Sequence, residues 1–220
     1  LSYFDSNIFT YLDFTPYFVF GNKEEVSENE LAEFSAAILE LGYGLEPDIR
    51  YKVFSSMKTD KLIIFKTDVI PDSLSAEYKL SYILLHIISM FAAYDCYVPE
   101  EEWKYISTFI DTNDNLDKHE KFRLHKCKNL IVQQYLDMTV QDEFNFGRLE
   151  EFLNNIYKYK NIELMNFIYD IILADHIIDP KEIFLLQKVN KILEIKSKNP
   201  IHDIHQYAKE KILRNKKIKL

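Results

Sequence analysis

The sequence predicts an all-α protein, a helical bundle of repeated αα-hairpins, with one small β-hairpin near the N-terminus. Three observations carry this. Only four glycines stand among 220 residues that are 47% apolar, a packed composition poor in turns. From Ser75 onward the apolar residues recur with helical spacing between recognisable start and stop signals. A long segment also repeats itself 80 positions later. A chain of this length buries a substantial core, as one large domain or two small ones, and its 15 Tyr and 16 Phe are read mostly as that core.

The first twenty residues are aromatic and lack a period, so they are expected to pack across the body. Ser27-Glu28-Asn29-Glu30 forms a capping box, which opens a helix to about Leu41 and stops at Gly42. GLEPDIRYKVF and KLIIFKT flank the turn-rich SSMKTD, and their β-branched and aromatic content predicts the hairpin. Such a ribbon is marginal alone and must lie on helices.

Helices follow over about 76–94, from Pro99 to about 111, and from the capping box of Asp117 and Glu120 to about 136. Asn145 is expected to cap a helix across GRLEEFLNNIYKY, and Asn161 one across IELMNFIYDIILA. Asp179-Pro180-Lys181-Glu182 supplies a cap, a proline at the first helical position and a capping-box glutamate. Asn199-Pro200 repeats the cap-then-proline arrangement for a last helix to about Leu213. Three consecutive segments are therefore expected: 1–74 with the aromatic stretch, helix and hairpin, 75–140 as a helical core, and 141–220 as a second helical region.

Charge is unevenly placed. Residues 181–220 carry eleven Lys and Arg against four Asp and Glu, or +7, which leaves −15 on the first 180 residues of this −8 chain. An acidic body repels nucleic acid, whereas the lysine-rich tail attracts it, so nucleic acid association through the tail is a weak alternative to a solvated last helix. The most apolar run, YILLHIISMFAAY (82–94), falls short of the roughly 20 residues needed to span a bilayer, so no membrane insertion is expected. Cys96 and Cys127 fit no zinc or redox spacing and point to a reducing, cytoplasmic setting, with one disulfide left open. The chain begins at Leu1 and shows no signal peptide, so a piece of a larger protein is expected.

The repeat pairs HIISMFAAYDCYVPEEEWKYISTFI with NFIYDIILADHIIDPKEIFLLQKVN. Each reads as an apolar helix, an Asp at its end, a short turn and an amphipathic helix. Asp95 and Glu102 thereby match Asp175 and Glu182. A carboxylate at a helix C-terminus faces the negative end of the macrodipole, at a cost of roughly 0.3–1 kcal/mol, and two explanations are open. In the first, the Asp accepts turn amides while Glu182 completes a capping box. In the second, the carboxylates gather a divalent cation, which takes oxygen ligands. No EF-hand is present, since Ile177 takes a ligand position and the central Gly is missing. In the first copy Val98 is expected at the cap, and Glu100, Glu101 and Glu102 crowd negative charge that suits a cation or a basic partner.

The histidines are less informative. His86 is expected as a satisfied core residue, His119 and His125 face different sides of a helix, and His202 and His205 are spaced so that they could share a metal, with no third ligand evident. No phosphate loop, nucleophile elbow or His-Glu-x-x-His motif occurs, so the sequence leans away from an enzyme and names no catalytic residue or certain cofactor. A hydrolase using the carboxylates with a metal is the alternative from another class.

The pattern of an Ala, an Asp at a helix end, a short turn and a Glu in the next helix resembles the TerB-like family associated with tellurite resistance. The stretch from about Ala76 to Leu136 is similar to the TerB core, with Asp95 and Glu102 as its acidic pair. LGYGLEPDIRY and KLIIFK resemble the region preceding that core, and residues from about 145 onward a TerB-C-like part, with Asp175 and Glu182 at the equivalent turn. Cys96 and His176 stand where the family has a turn glycine. The resemblance implies an all-helical, intracellular, acidic module acting in bacterial stress response or defence. It would work through protein partners, other parts of its own full-length chain included, with a divalent metal as a candidate ligand of Asp95, Glu102, Asp175 and Glu182.

Overall fold

The computed structural model describes residues 8–10, 28–48, 50, 61–67, 73–140, 146–156 and 161–218. Among them are three strands, β1 (Ile8–Thr10), β2 (Tyr43–Glu46) and β3 (Lys61–Lys66). Eight helices accompany them: α1 (Glu28–Glu40), α2 (Ala76–Ala93), α3 (Glu100–Asp111), α4 (Lys118–Val140), α5 (Phe146–Ile156), α6 (Asn161–Ile172), α7 (Pro180–Ile192) and α8 (Pro200–Ile218). The protein is mostly helical, as its composition requires. The expected caps at Ser27 and Asn145 lie outside the described residues. No described helix is long and apolar enough to cross a membrane.

Contacts divide the chain into two compact units, one running to Tyr82 and resuming over Asn113–Ile131, the other comprising Ile83–Thr112 and Val132 onward. In the first, the strands form an antiparallel sheet in the order β1-β3-β2, with Leu45 opposite Ile64 and Ile8 opposite Ile63. Strands β2 and β3 pair as the expected hairpin requires, although β2 ends at Glu46 and residues 49 and 51–60 of the expected hairpin lie outside the described residues; β1 adds a third strand that the aperiodic N-terminal sequence did not signal. Gly42, at φ +81°, ends α1 one residue before β2, a backbone turn that costs glycine little. Phe34 and Ile38 of α1 then pack on Leu45 and Leu62.

A buried polar network joins β2 to α4 in this unit. Arg123 of α4 is fully buried, its Nε donating to Glu46 Oε1 at 2.6 Å and a terminal nitrogen to the Leu45 carbonyl at 3.1 Å. The Tyr78 hydroxyl donates to the same Glu46 oxygen at 2.9 Å, and Arg50 pairs with Asp48. The capping box of α4 also forms, with Asp117 Oδ1 accepting from the Glu120 amide at 2.8 Å and Glu120 Oε2 from the Asp117 amide at 3.2 Å. Its other oxygen accepts from the Ser75 amide at 2.9 Å, just before α2.

The second unit is helical among its described residues. His86 is fully buried, with Nδ1 2.8 Å from the Tyr135 hydroxyl and its ring 5.0 Å from that of Phe152, and so lies in the core as expected. Helices α3 and α6 meet through Phe109 and Phe167, whose rings stand edge to face at 5.2 Å. Asn199 Oδ1 accepts from the His202 amide at 3.2 Å and starts α8, which is anchored by the fully buried Ile204 and by Tyr207 on Asp170 Oδ1 at 2.8 Å. Cys96 and Cys127 are both free thiols, so the disulfide left open by the sequence is not formed.

Candidate functional site

The two repeated turns lie in the second unit and match bond for bond. The Tyr94 amide donates to the Phe91 carbonyl and that of Cys96 to Ala93; 80 positions on, Ala174 donates to Ile171 and His176 to Leu173. Both Cys96 (φ 76°) and His176 (φ 66°) take the left-handed backbone that reverses the chain. This conformation is uncommon for residues with a Cβ, and its occurrence at both positions makes it a property of the repeat rather than of one loop. The next residues, Tyr97 and Ile177, point outward, 68% and 66% exposed.

The Asp at each helix end answers the macrodipole locally. Asp95 Oδ1 accepts from the Tyr97 amide at 2.9 Å, and Asp175 Oδ1 from the Ile177 amide at 2.9 Å. Each is an Asx turn, which occupies one carboxylate oxygen.

The glutamates differ, and the reason is one residue. In the second turn Asp179 caps α7, accepting from the Lys181 amide at 2.7 Å, while Glu182 Oε2 reaches back to the Asp179 amide at 2.9 Å. In the first turn the cap is Pro99, not Val98 as expected, so α3 begins one residue later than the sequence reading placed it. Proline has no amide hydrogen. Glu102, the counterpart of Glu182, therefore lacks the donor that a capping box would supply, and its Oε2 is buried without a hydrogen-bond partner. With Glu102 at 5% and Glu182 at 4% exposure, both carboxyl groups are withdrawn from solvent.

All four sequence-selected carboxylates share one electrostatic neighbourhood. The Glu102 carboxyl is pushed up to about 9, first by burial and then by repulsion from Glu182, Asp175, Asp95 and Glu101. Burial also pushes Glu182 up to about 8, opposed by the Asp179 amide and reinforced by Asp175, Asp95 and Asp179. Asp95 is raised by burial, which the Tyr97 amide opposes. Lys181 works in the same downward direction, and its Nζ stands 3.9 Å from Cys96 Sγ, a contact spanning the two turns. Burying carboxylates together without enough donors favours the protonated forms, or a positive charge among them.

The donors are all oxygen, which suits a hard cation rather than a soft one. Among the described residues no group of three or more His, Cys, Asp or Glu side chains is placed to hold a metal ion. His202 and His205 are exposed on α8, away from any such grouping.

Lys181 and the outward pair Tyr97 and Ile177 escaped the sequence reading as site residues. The signal was present in the 80-residue alignment, which sets Tyr97 opposite Ile177 directly after the left-handed position. Comparison with known proteins gives no match, whether to a family model, a curated protein or a solved structure.

Proposed function

We propose that this chain is a non-enzymatic interaction module of TerB-like kind, belonging to a larger bacterial stress-response or defence protein, and that its paired acidic turns take up a divalent cation. The observation that carries the reading is the buried, unpartnered Oε2 of Glu102 beside Asp95, Asp175 and Glu182. A capping role accounts for Glu182 and the Asx turns for one oxygen of each Asp, but no local role accounts for this atom. A buried carboxyl that lacks a partner destabilises the fold, and a cation arriving there repays the cost. The TerB-like resemblance supports the module class through the same residues, since its acidic pair falls on Asp95 and Glu102 and, in the second copy, on Asp175 and Glu182.

Calorimetric titration of Ca²⁺, Mg²⁺, Mn²⁺ and Zn²⁺ into chelator-stripped protein tests the reading. A hard cation is expected to bind tighter than about a millimolar, with Glu102→Gln weakening it at least about tenfold. Binding of none of the four metals below that limit removes the cation from the account.

A further inference from the structure

The last turns of α8 pose a question that the fold does not answer. From Lys209 to Asn215 every residue is exposed, although Ile212 and Leu213 are large and apolar, at 55% and 59% exposure. The sequence here, KEKILRNKKIKL (209–220), carries six Lys and Arg against one Glu. Within its own molecule the helix is tied back by Lys211, whose Nζ lies 2.6 Å from Asp170 Oδ1. Among the described residues nothing covers Ile212 and Leu213, which present an apolar pair on the outside of the helix.

The paired turns offer the complementary surface. Tyr97 and Ile177 project from them, Phe184 is 43% exposed on the following helix, and Glu100 and Glu101 are exposed at the start of α3. Asp95, Asp175 and Asp179 are half-buried in the same two turns, and Glu102 holds its unpartnered oxygen beneath them. An apolar pair within acidic surroundings thus faces the requirements of an apolar pair within basic ones. An ammonium or guanidinium also answers the need of these carboxylates for positive charge. It reaches carboxylates through several hydrogen bonds of ordinary length and does not need three oxygens drawn to one point.

We propose that the paired turns are the docking site for the basic C-terminal end of α8 from a second copy of this chain, with Ile212 and Leu213 packing on Tyr97 and Ile177. This rests on the turns accepting positive charge, as proposed above, but not on that charge being a metal. Two different patches meet, so copies either close reciprocally as a dimer or extend into a larger assembly.

Sedimentation velocity tests this with chelator present and at low salt, from micromolar to hundreds of micromolar protein. Three proteins are compared: the unaltered chain, I212S/L213S with an impaired helix end, and Y97S/I177S with impaired turns. All four positions are exposed, and circular dichroism confirms that the folds persist. The unaltered chain is expected to associate with rising concentration, with a dissociation constant raised about tenfold at high salt. Each double variant is expected to stay monomeric alone, while the two mixed restore a 1:1 complex through the one intact pair of surfaces. A monomeric unaltered chain at all concentrations overturns the proposal, as does association that survives both variants or a mixture that fails to pair. Calcium titration of I212S/L213S, whose turns are intact, reads the cation site independently of the docking.

Discussion

Replacing Glu102 with Gln is expected to stabilise the protein at pH 8 and to change little near pH 4. The unfolded chain ionises this carboxyl at its ordinary 4.5, the folded chain only at about 9. Between those values the native state holds a proton that the unfolded state has lost. Stability is therefore full below the lower value and drains away as pH rises toward the upper one. One retained proton is worth about 1.4 kcal/mol per pH unit, so from about pH 5 to pH 8 this group alone costs the wild type about 4 kcal/mol. Gln keeps the shape of the neutral acid and cannot ionise, so the variant avoids that loss. Urea unfolding at both pH values measures the difference directly. In thermal melts at pH 8 the variant is expected to unfold about 10 °C higher, since 1 kcal/mol moves the midpoint by about 2–4 °C at this size. Equal stabilities of the two proteins at pH 8 would refute a buried, protonated Glu102.

Pro99→Ser gives α3 a capping hydroxyl and restores the amide that Glu102 lacks, so it is expected to stabilise by about 1 kcal/mol and to lower the Glu102 titration midpoint; urea unfolding and carboxyl NMR read the two effects. Cys96→Gly relieves a left-handed backbone at φ 76° and is expected to stabilise by about 0.5–1 kcal/mol. His176→Gly should gain less, because His tolerates this region better than most residues, and the same denaturation series ranks the two. Glu46→Ala strips the buried Arg123 of its main partner and is expected to cost about 3–5 kcal/mol by chemical denaturation, whereas a loss below 1 kcal/mol would mean that water reaches the guanidinium.

Much of the helical framework was written locally. Caps and prolines at Asp117, Asp179 and Asn199 act within three residues of themselves, and the structure uses all three. The error at Pro99 was also local. Val98 and Pro99 both fit the start of α3, and only the backbone angles separate a proline at the cap from one in the first helical turn. What the sequence concealed was long-range. Glu46 and Arg123 are 77 positions apart, and nothing in either neighbourhood marks the pair as buried together. The repeat identified Asp95, Glu102, Asp175 and Glu182 as equivalent, yet equivalence does not place two turns side by side. The contact of Lys181 with Cys96 and the mutual repulsion of the glutamates do so. Burial of Glu102 without a donor is likewise a joint property of a proline cap and a covered helix face.

The central claim is that the two turns form one desolvated acidic site that accepts positive charge. Carboxyl ¹³C NMR of Glu102 and Glu182, titrated with and without saturating Ca²⁺, tests it most directly. Midpoints near 9 and 8 are expected in the absence of the cation, both falling toward the ordinary carboxylate range when it is bound. Ordinary midpoints under both conditions would contradict it.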